Sequence, residues 1–279
     1  MSTRIFRLLI VGLIILTTPY LGGCGKRYAK QSLRPDGLST RYSDHLPIRG
    51  EVVDGSKPVA IDIENLNGSV TVKVDDKYDK AFVYARAQWR GKYSKAEWES
   101  LRNEECVVAE HVIEDGNSIL RVLSQASPET DPPAWVQITV LMPSCDGVFI
   151  RNAGGPVLVV GSGGAHTIES GFDRGSGGHV EVRTGRKIVD PISLRTSDGN
   201  VDLILAPNSG GTVDLQTDRG RAIFGSAFGR TTSVRAESKR WSGVWNAQSN
   251  PISLQTLRGT AVLRVTKNPE MHSTGQRLR

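Results

Sequence analysis

Apolar and polar residues alternate along many short segments of this chain, and one alternating phrase recurs. Residues 192–205 read ISLRTSDGNVDLIL, and close copies return as VDLQTDRGRAIF at 213–224 and ISLQTLRGTAVL at 252–263. The shared pattern is apolar-x-apolar-x-[Asn/Thr]-x-x-Gly-x-apolar-x-apolar, and it also fits residues 148–159 and 61–72. Alternation with a period of two is typical of strands that bury one face. Each copy therefore predicts two strands joined at a corner, where glycine supplies a positive φ.

The spacing of the copies indicates how they assemble. From Gly155 to Gly259 the corner glycines lie 44, 21 and 39 residues apart, close to multiples of about 20 residues, the range of solenoid repeats. Two degenerate copies would fill the gaps, at 166–184 and 233–247. Because a single coil cannot bury its apolar edge whereas stacked coils bury one another, we expect an all-β, β-solenoid or β-helix-like stack.

The competing architecture is an antiparallel meander in which each T-x-x-G segment closes a hairpin. A hairpin would place Ile192 opposite Leu203, whereas stacked coils would place Leu194 near Leu215. The register of the strands therefore decides between the two architectures.

The region before residue 146 predicts a strand-rich part with one short helix. Ser94 lies three residues before Glu97, which is the signature of a capping box. It predicts a helix near 94–105 that gives way to a strand at Cys106. Alternating segments that predict further strands are VAIDIENLNGSVTVKV, AFVYARAQW, GNSILRVLS and AWVQITVLMP.

These segments also carry a family resemblance. A strand that ends in Met-Pro (WVQITVLMP), followed by VFIRNAGGPVLV and repeated T-x-x-G corners, resembles the bacterial "putative adhesin" family of domains of unknown function. The resemblance covers roughly residues 59–265. It implies a β-solenoid-like fold on an exported or membrane-attached protein, and it transfers no functional residues.

The N-terminus predicts export and lipid attachment. Two arginines precede the apolar run Leu8–Leu16, which is shorter than the roughly 20 residues of a membrane-spanning helix and fits a signal peptide. Leu21-Gly22-Gly23-Cys24 resembles a lipoprotein lipobox, which implies that Cys24 is acylated and anchors the chain in a membrane. The alternative is an ordinary signal peptide with a free Cys24.

The predicted organisation follows the chain in five parts, and the predicted location is the cell envelope. A lipid anchor would hold the protein at the outer membrane or the periplasmic face of a Gram-negative cell, or otherwise at the extracellular face. The parts are a signal peptide (1–23), the lipidated cysteine with a flexible tether (24–58), the N-terminal β-rich part (59–145), the solenoid repeats (146–265) and a polar tail (266–279).

Charge and motifs exclude several functions. The chain has 35 Lys and Arg residues against 29 Asp and Glu residues, and the basic residues are scattered, so we expect no nucleic-acid partner. No phosphate-binding loop motif occurs, and we expect no cofactor. Beyond the signal peptide, Cys106 and Cys145 form either a disulfide or two buried thiols.

Two groups of residues are candidates for a catalytic site or a metal site. Asp198, Asp202, Asp214 and Asp218 recur on the copies, but we expect them to occupy turns and solvent-exposed strand positions, without catalysis. His166, Asp173 and His179 flank a glycine-rich segment that lacks the spacing of a calcium or zinc site. We expect a flexible loop with incidental histidines and no metal.

The best candidate for a binding surface combines bases with aromatic rings. Its residues are Arg235, Lys239, Arg240, Trp241 and Trp245. Exposed tryptophans beside bases would stack on sugar rings or lie at a membrane interface, whereas core packing is the favoured alternative. The expected function is a non-enzymatic, adhesin-like scaffold or binding surface for an envelope glycan or protein; the alternative is a carbohydrate lyase or hydrolase on a β-helix.

Overall fold

The computed structural model describes residues 41–45, 48–49, 60–90, 106–114, 116–125, 135–171 and 176–272. All of them belong to one compact unit, Leu33–Arg279. The predicted signal peptide, Cys24, most of the tether and the predicted helix at 94–105 lie outside the described residues. Among the described residues, no helix has the length and apolar content needed to cross a lipid bilayer.

The described part of the chain is all-β, as the alternation predicted, and ends in a single 3₁₀ turn at Pro269–Met271. Its strands are β1 (Arg41–His45), β2 (Ile48–Arg49), β3 (Ala60–Asn65), β4 (Val70–Val74), β5 (Phe82–Arg90), β6 (Cys106–Glu114), β7 (Asn117–Gln125), β8 (Trp135–Met142), β9 (Asp146–Asn152), β10 (Gly154–Val160), β11 (Gly163–Ser170), β12 (Ser176–Thr184), β13 (Ile192–Thr196), β14 (Val201–Leu205), β15 (Gly211–Arg219), β16 (Ala222–Ser226), β17 (Thr231–Ala236), β18 (Arg240–Trp245), β19 (Pro251–Arg258) and β20 (Ala261–Val265).

These strands form two mixed sheets, and the two strands of each copy belong to different sheets. Sheet A has the order β1-β5-β8-β4-β10-β12-β14-β20-β16, and sheet B has the order β17-β18-β15-β19-β13-β11-β9-β3-β7-β6-β2. Neighbouring copies pair in parallel and in register; Ile192 on β13, for example, pairs with His166 on β11. Because β13 and β14 lie in different sheets, Ile192 does not oppose Leu203, and the antiparallel meander is wrong for these copies.

The spatial order of the copies differs from their order in the sequence. Strand β19 lies between β13 and β15, so that Leu254 pairs with Leu194 on one side and with Leu215 on the other. In sheet A, β20 likewise lies between β14 and β16. Contrary to the expectation, Leu194 and Leu215 are therefore not direct neighbours, because β19 lies between them. The phrases at 192–203, 213–224 and 252–263 are closely similar, so the sequence alone does not predict which copies are neighbours.

One of the two degenerate copies lies where the spacing placed it, and the other does not. Residues 166–184 supply β11 and β12, which pair in parallel with the copies on both sides. Residues 233–247 instead belong to an antiparallel hairpin of β17 and β18, and β18 pairs antiparallel with β15. A copy pattern that has lost its corner glycine therefore does not predict a parallel neighbour.

Polar side chains at the corners join each copy to the next. A buried row of Asn, Ser and Thr side chains ends the strands of sheet B, and we refer to it as the corner ladder. Each member donates a hydrogen bond to a main-chain carbonyl of the neighbouring copy or strand. The bonds run from Asn65 to Val136 (3.2 Å), Asn152 to Gly68 (2.9 Å), Ser170 to Gly155 (2.9 Å), Thr196 to Gly178 (2.7 Å), Thr256 to Gly199 (2.8 Å) and Thr217 to Gly259 (2.8 Å).

The corner glycines are required because adjacent copies approach one another closely there. Gly199 has a φ of +95°, as the sequence predicted, and a Cβ on it would lie 2.9 Å from the carbonyl carbon of Gly178. Gly220 is not among the glycines of positive φ, which corrects the expectation for this copy. A Cβ on Gly220 would instead overlap the carbonyl oxygen of Gly259. The Asn/Thr-x-x-Gly phrase thus encodes contact between copies as well as a local turn.

Candidate functional site

The predicted surface at 235–245 lies on the β17–β18 hairpin, which forms one end of sheet B. Trp241 and Trp245 are buried, and Trp245 is fully so. The Trp241 ring stacks on Phe224 with centroids 4.4 Å apart, and Trp245 meets the same ring edge-on at 6.1 Å. The two tryptophans therefore close the apolar interior beside β16, and their role as exposed stacking rings is wrong. The favoured alternative, core packing, is confirmed.

Two of the three predicted basic residues are held in ion pairs. Arg240 makes two hydrogen bonds of 3.0 Å with the carboxylate of Asp214, and Arg235 bonds Glu237 at 2.9 Å. Lys239 is exposed, and its side chain has no ion pair or hydrogen bond among the described residues. Of the predicted surface, Lys239 is therefore the residue with an uncommitted charge.

Lys239 lies beside other uncommitted cations at the corner between β15 and β16. The carbonyls of Lys239 and Ser238 accept hydrogen bonds from Thr217 (2.9 Å) and Ala222 (3.0 Å), which hold the loop against this corner. Arg219 and Arg221 lie within the corner, and Arg219 pairs in register with Arg258 on β19. We name these four exposed residues, Arg219, Arg221, Lys239 and Arg258, the basic end. This cluster could not be predicted from the sequence, because its members come from three separate segments of the chain.

A second polar cluster lies on the outer face of sheet A. Glu181 on β12 and Asp202 on β14 are in-register partners, and both are buried, with 4% and 5% exposure. His179 Nε2 lies 3.4 Å from a Glu181 oxygen and 3.5 Å from an Asp202 oxygen. Arg183 Nε donates to the other Glu181 oxygen at 2.6 Å. We name Glu181 and Asp202 the carboxylate pair.

The surroundings of the carboxylate pair shift the pKa values of Glu181 and Asp202 in opposite directions. Burial acts to raise the pKa of Glu181, but hydrogen bonds from His179 and Arg183 outweigh it and lower that pKa to about 2. Burial raises the pKa of Asp202 above its ordinary value, against the attraction of His179 and Arg264. Two carboxyl groups whose pKa values diverge are the arrangement in which one acts as an acid and the other as a base.

The burial of Asp202 corrects the expectation that it faces solvent. The C-terminal segment folds back over β12 and β14 through the 3₁₀ turn, where Pro269 is buried. Glu270 accepts a hydrogen bond from the Gly185 amide at 3.0 Å and fixes the turn there. The turn also explains why Ile204, next to Asp202 on the outer face, has no exposed surface.

The other three aspartates occupy corner and surface positions, as the sequence predicted. Asp198 is partly exposed, and its amide bonds the Thr196 hydroxyl at 3.3 Å. Asp214 pairs with Arg240, and Asp218 is exposed.

The expectation of a flexible loop around the histidines is wrong where the chain is described. His166 is fully buried on β11 between Val148 and Ile192. Its Nδ1 donates to the Gly164 carbonyl at 3.0 Å and its Nε2 accepts from Ser162 Oγ at 2.6 Å. Burial lowers the pKa of this imidazole to about 4. Asp173 lies outside the described residues.

Metal ligation and thiol chemistry find no support in the described part of the chain. Within it, no group of three or more His, Cys, Asp and Glu side chains is arranged to hold a metal ion. Cys145 is a buried free thiol whose Sγ donates to the Gly147 carbonyl at 3.2 Å. Burial raises the pKa of this thiol to about 12, so it is a structural residue. Of the two alternatives for Cys106 and Cys145, the structure therefore has Cys145 unbridged.

Comparison with known proteins finds distant structural neighbours. No protein-family model matches the chain, and no curated protein matches it. A putative cell adhesion protein from Clostridium sporogenes aligns at 9% identity over 81% of this chain and 100% of its own, with a TM-score of 0.44. A putative adhesin from Bacteroides fragilis aligns at 10% identity over 84% and 100%, with a TM-score of 0.28.

A putative adhesin from Parabacteroides merdae aligns at 9% identity over 83% of this chain and 98% of its own, with a TM-score of 0.28. The names of these neighbours agree with the family that the sequence resembles. At such identities and TM-scores the neighbours do not assign a function to this chain.

Proposed function

We propose that this protein is a non-enzymatic lipoprotein of the bacterial cell envelope whose β-solenoid acts as an adhesin-like scaffold and binding surface. In this proposal the acyl chains on Cys24 hold the protein at a membrane, and the paired copies form the coils of the solenoid. The parallel, in-register pairing of copies that are neighbours in the sheets supports the second part. The solenoid then provides a binding surface, because stacked repeats form one extended face and binding to it does not require a cleft.

The observation that carries this proposal is the outer face of sheet B, which we name the ladder face. Five parallel neighbouring strands, β19, β13, β11, β9 and β3, align their outward side chains into two rows. The rows are Ser253, Ser193, Thr167, Phe149 and Asp62, and Gln255, Arg195, Glu169, Arg151 and Glu64.

The chemistry of the ladder face suits a polar polymer. The Phe149 ring is 41% exposed amid hydroxyl, amide and charged side chains. Arg195 and Glu169 form an ion pair of 3.1 Å across neighbouring strands, which restricts the conformations of both side chains. An exposed aromatic ring flanked by hydrogen-bonding groups is the combination that contacts a sugar ring or a polar protein surface.

A screen of envelope glycans and envelope proteins against the purified full-length protein tests the proposal. The variant Phe149→Ser should weaken binding about tenfold or more, because it removes the exposed aromatic ring of the ladder face. Tyr84→Ser is the matched control, since Tyr84 is an exposed aromatic residue, 51% accessible, on the outer face of sheet A. No envelope ligand for the wild type, or equal losses in both variants, would contradict the proposal.

The second candidate is a carbohydrate lyase or hydrolase, and the carboxylate pair is the observation in its favour. Glycoside hydrolysis uses two carboxyl groups of unequal acidity, and Glu181 and Asp202 have pKa values shifted in opposite directions. The proposal of a binding surface is preferred because both carboxylates are buried beneath the C-terminal segment. An active site must admit its substrate.

A polysaccharide cleavage assay separates the two candidates. Wild type, Glu181→Gln and Asp202→Asn are compared with Asp214→Asn, a surface control, on acidic and neutral polysaccharides. We expect no cleavage by any of them. Cleavage by the wild type that disappears in Asp202→Asn at unchanged stability, and persists in Asp214→Asn, would establish the enzyme and overturn the binding-surface proposal.

A further inference from the structure

The basic end concentrates positive charge near one end of sheet B, where β15 and β19 lie next to the terminal β17–β18 hairpin. Arg219 and Arg258 occupy in-register positions on these parallel neighbours, two residues beyond the buried Thr217 and Thr256 of the corner ladder. Neighbouring strands lie about 4.8 Å apart. The two guanidinium groups therefore start from adjacent backbone positions, and both side chains are exposed.

Arg221 and Lys239 extend this pair on either side of the corner. Gly220 separates Arg219 from Arg221 and packs directly on the backbone of Gly259, so no side chain stands between the two corners. The Lys239 carbonyl bonds the Thr217 amide at 2.9 Å, which fixes the lysine backbone beside the same corner. Main-chain hydrogen bonds thus position the backbone of all four cations, and the four side chains are exposed.

Three of the four cations of the basic end have no ion pair in the described part of the chain, in contrast to two arginines of the β17–β18 hairpin. Arg235 and Arg240 are paired with Glu237 and Asp214. In the described part of the chain, Arg219, Arg221 and Lys239 have no ion pair, and Arg258 has only Asp198 at 4.0 Å. Like charges held together repel one another, and a bound anion removes that repulsion.

We propose that the basic end binds an anionic polysaccharide through contacts from its guanidinium and ammonium groups to carboxylate, sulfate or phosphate groups of the polymer. This inference rests on the proposed binding function and assigns it a ligand class. Adjacent arginines suit such groups because a guanidinium bonds an oxyanion through two parallel N–H groups. A polymer with a charge on each repeat engages several of the cations at once.

The position of the basic end in the sheets favours a polymer over the lipid headgroups of an anchoring membrane. Sheet A runs from β1 to β16 and sheet B from β2 to β17, so β1 and β2, the described strands nearest the N-terminus, lie at one end of both sheets. The basic end lies at the other. A different role for these charges is to keep the edge strand β16 from pairing with another molecule, and the experiment separates this role from ligand binding.

The experiment measures binding of fluorescent polygalacturonate, dextran sulfate and neutral dextran to the full-length protein in detergent by fluorescence anisotropy. The double variant Arg219→Gln/Arg221→Gln and the single variant Lys239→Gln are compared with Lys73→Gln/Lys187→Gln. That control removes the same charge as the double variant at two exposed positions outside the basic end. Denaturant midpoints and size-exclusion profiles confirm that each variant is folded and monodisperse.

The expected result is binding of both acidic polymers, with an affinity that falls as salt rises, and no binding of neutral dextran. Arg219→Gln/Arg221→Gln should weaken binding about tenfold or more and reduce its salt dependence. Lys239→Gln should weaken binding less, and the control should change it little.

Several outcomes would overturn the inference. Equal weakening in the control would show attraction by net charge alone. Binding of the wild type to vesicles with anionic lipids, but not to the acidic polymers, would assign the basic end to a membrane. Aggregation of Arg219→Gln/Arg221→Gln with unchanged polymer affinity would assign the charges to edge protection. An envelope ligand held at the ladder face and unaffected by these variants would refute this inference and leave the proposed function standing.

Discussion

Replacing Thr256 by valine should destabilise the fold by removing one hydroxyl group. Thr256 is fully buried, and its Oγ1 donates to the Gly199 carbonyl at 2.8 Å. Valine has nearly the shape of threonine, so the packing is retained while the buried carbonyl loses this donor. A buried polar group left without its partner costs about 1–3 kcal/mol, and we expect a loss of about 2 kcal/mol from the free energy of unfolding.

The assay is urea denaturation followed by tryptophan fluorescence, because Trp241 and Trp245 are buried near the same corner. Thr212→Val is the matched control: Thr212 is an exposed strand residue on β15, so the substitution makes the same chemical change without removing a buried hydrogen bond. It should stay within about 0.5 kcal/mol of the wild type. A loss for Thr256→Val no larger than that of Thr212→Val would refute the view that the corner ladder joins the copies energetically.

Three further predictions concern packing, titration and anchoring. Gly220→Ala should lower the urea midpoint strongly, because its Cβ would overlap the Gly259 carbonyl, whereas Gly225→Ala, with its nearest contact at 3.9 Å, should change the midpoint little; equal midpoints would contradict the close approach. Lowering the pH from about 7.5 to about 5 should lower the free energy of unfolding by about 2 kcal/mol. In this range His166 takes up a proton in the unfolded chain but not in the folded protein, where the pKa of its ring is about 4, so stability rises with pH. Urea curves of Ser162→Ala/His166→Val should lack that part of the pH dependence, and an identical pH dependence would show that His166 does not cause it. Cys24→Ser should abolish membrane partitioning and the lipid mass on the N-terminal peptide, and unchanged partitioning would contradict acylation at this cysteine.

The sequence allowed the strands and corners to be predicted because both depend on local patterns. Alternation of period two marked β9, β13 and β19, and the Asn/Thr-x-x-Gly spacing marked the corners between strands. The order of the copies could not be predicted, because the phrases at 192–203, 213–224 and 252–263 present nearly the same apolar surface. Nor does alternation distinguish a parallel neighbour from an antiparallel hairpin, which is why residues 233–247 were assigned wrongly.

The candidate sites were less predictable because their members meet only through pairing. Arg219 and Arg258 are 39 residues apart in the chain, and only the register of β15 with β19 brings them together. Asp202 occupies an outward strand position, and its burial comes from a C-terminal turn that has no periodic pattern. His179 lies beside Asp202 because β12 pairs with β14, and the sequence does not predict this pairing.

The insertion of β19 and β20 between earlier strands has a consequence for how the molecule is completed. These two strands follow the other eighteen strands of the described chain, yet they lie between strands that precede them. Until they arrive, β15 and β16 have no partner on that side, and β13 and β14 expose an open edge. A chain that ends near residue 250 would therefore expose unpaired strand edges on both sides of the missing strands. β19 and β20 therefore complete both sheets, and a chain that ends before residue 251 should aggregate instead of forming a smaller folded protein.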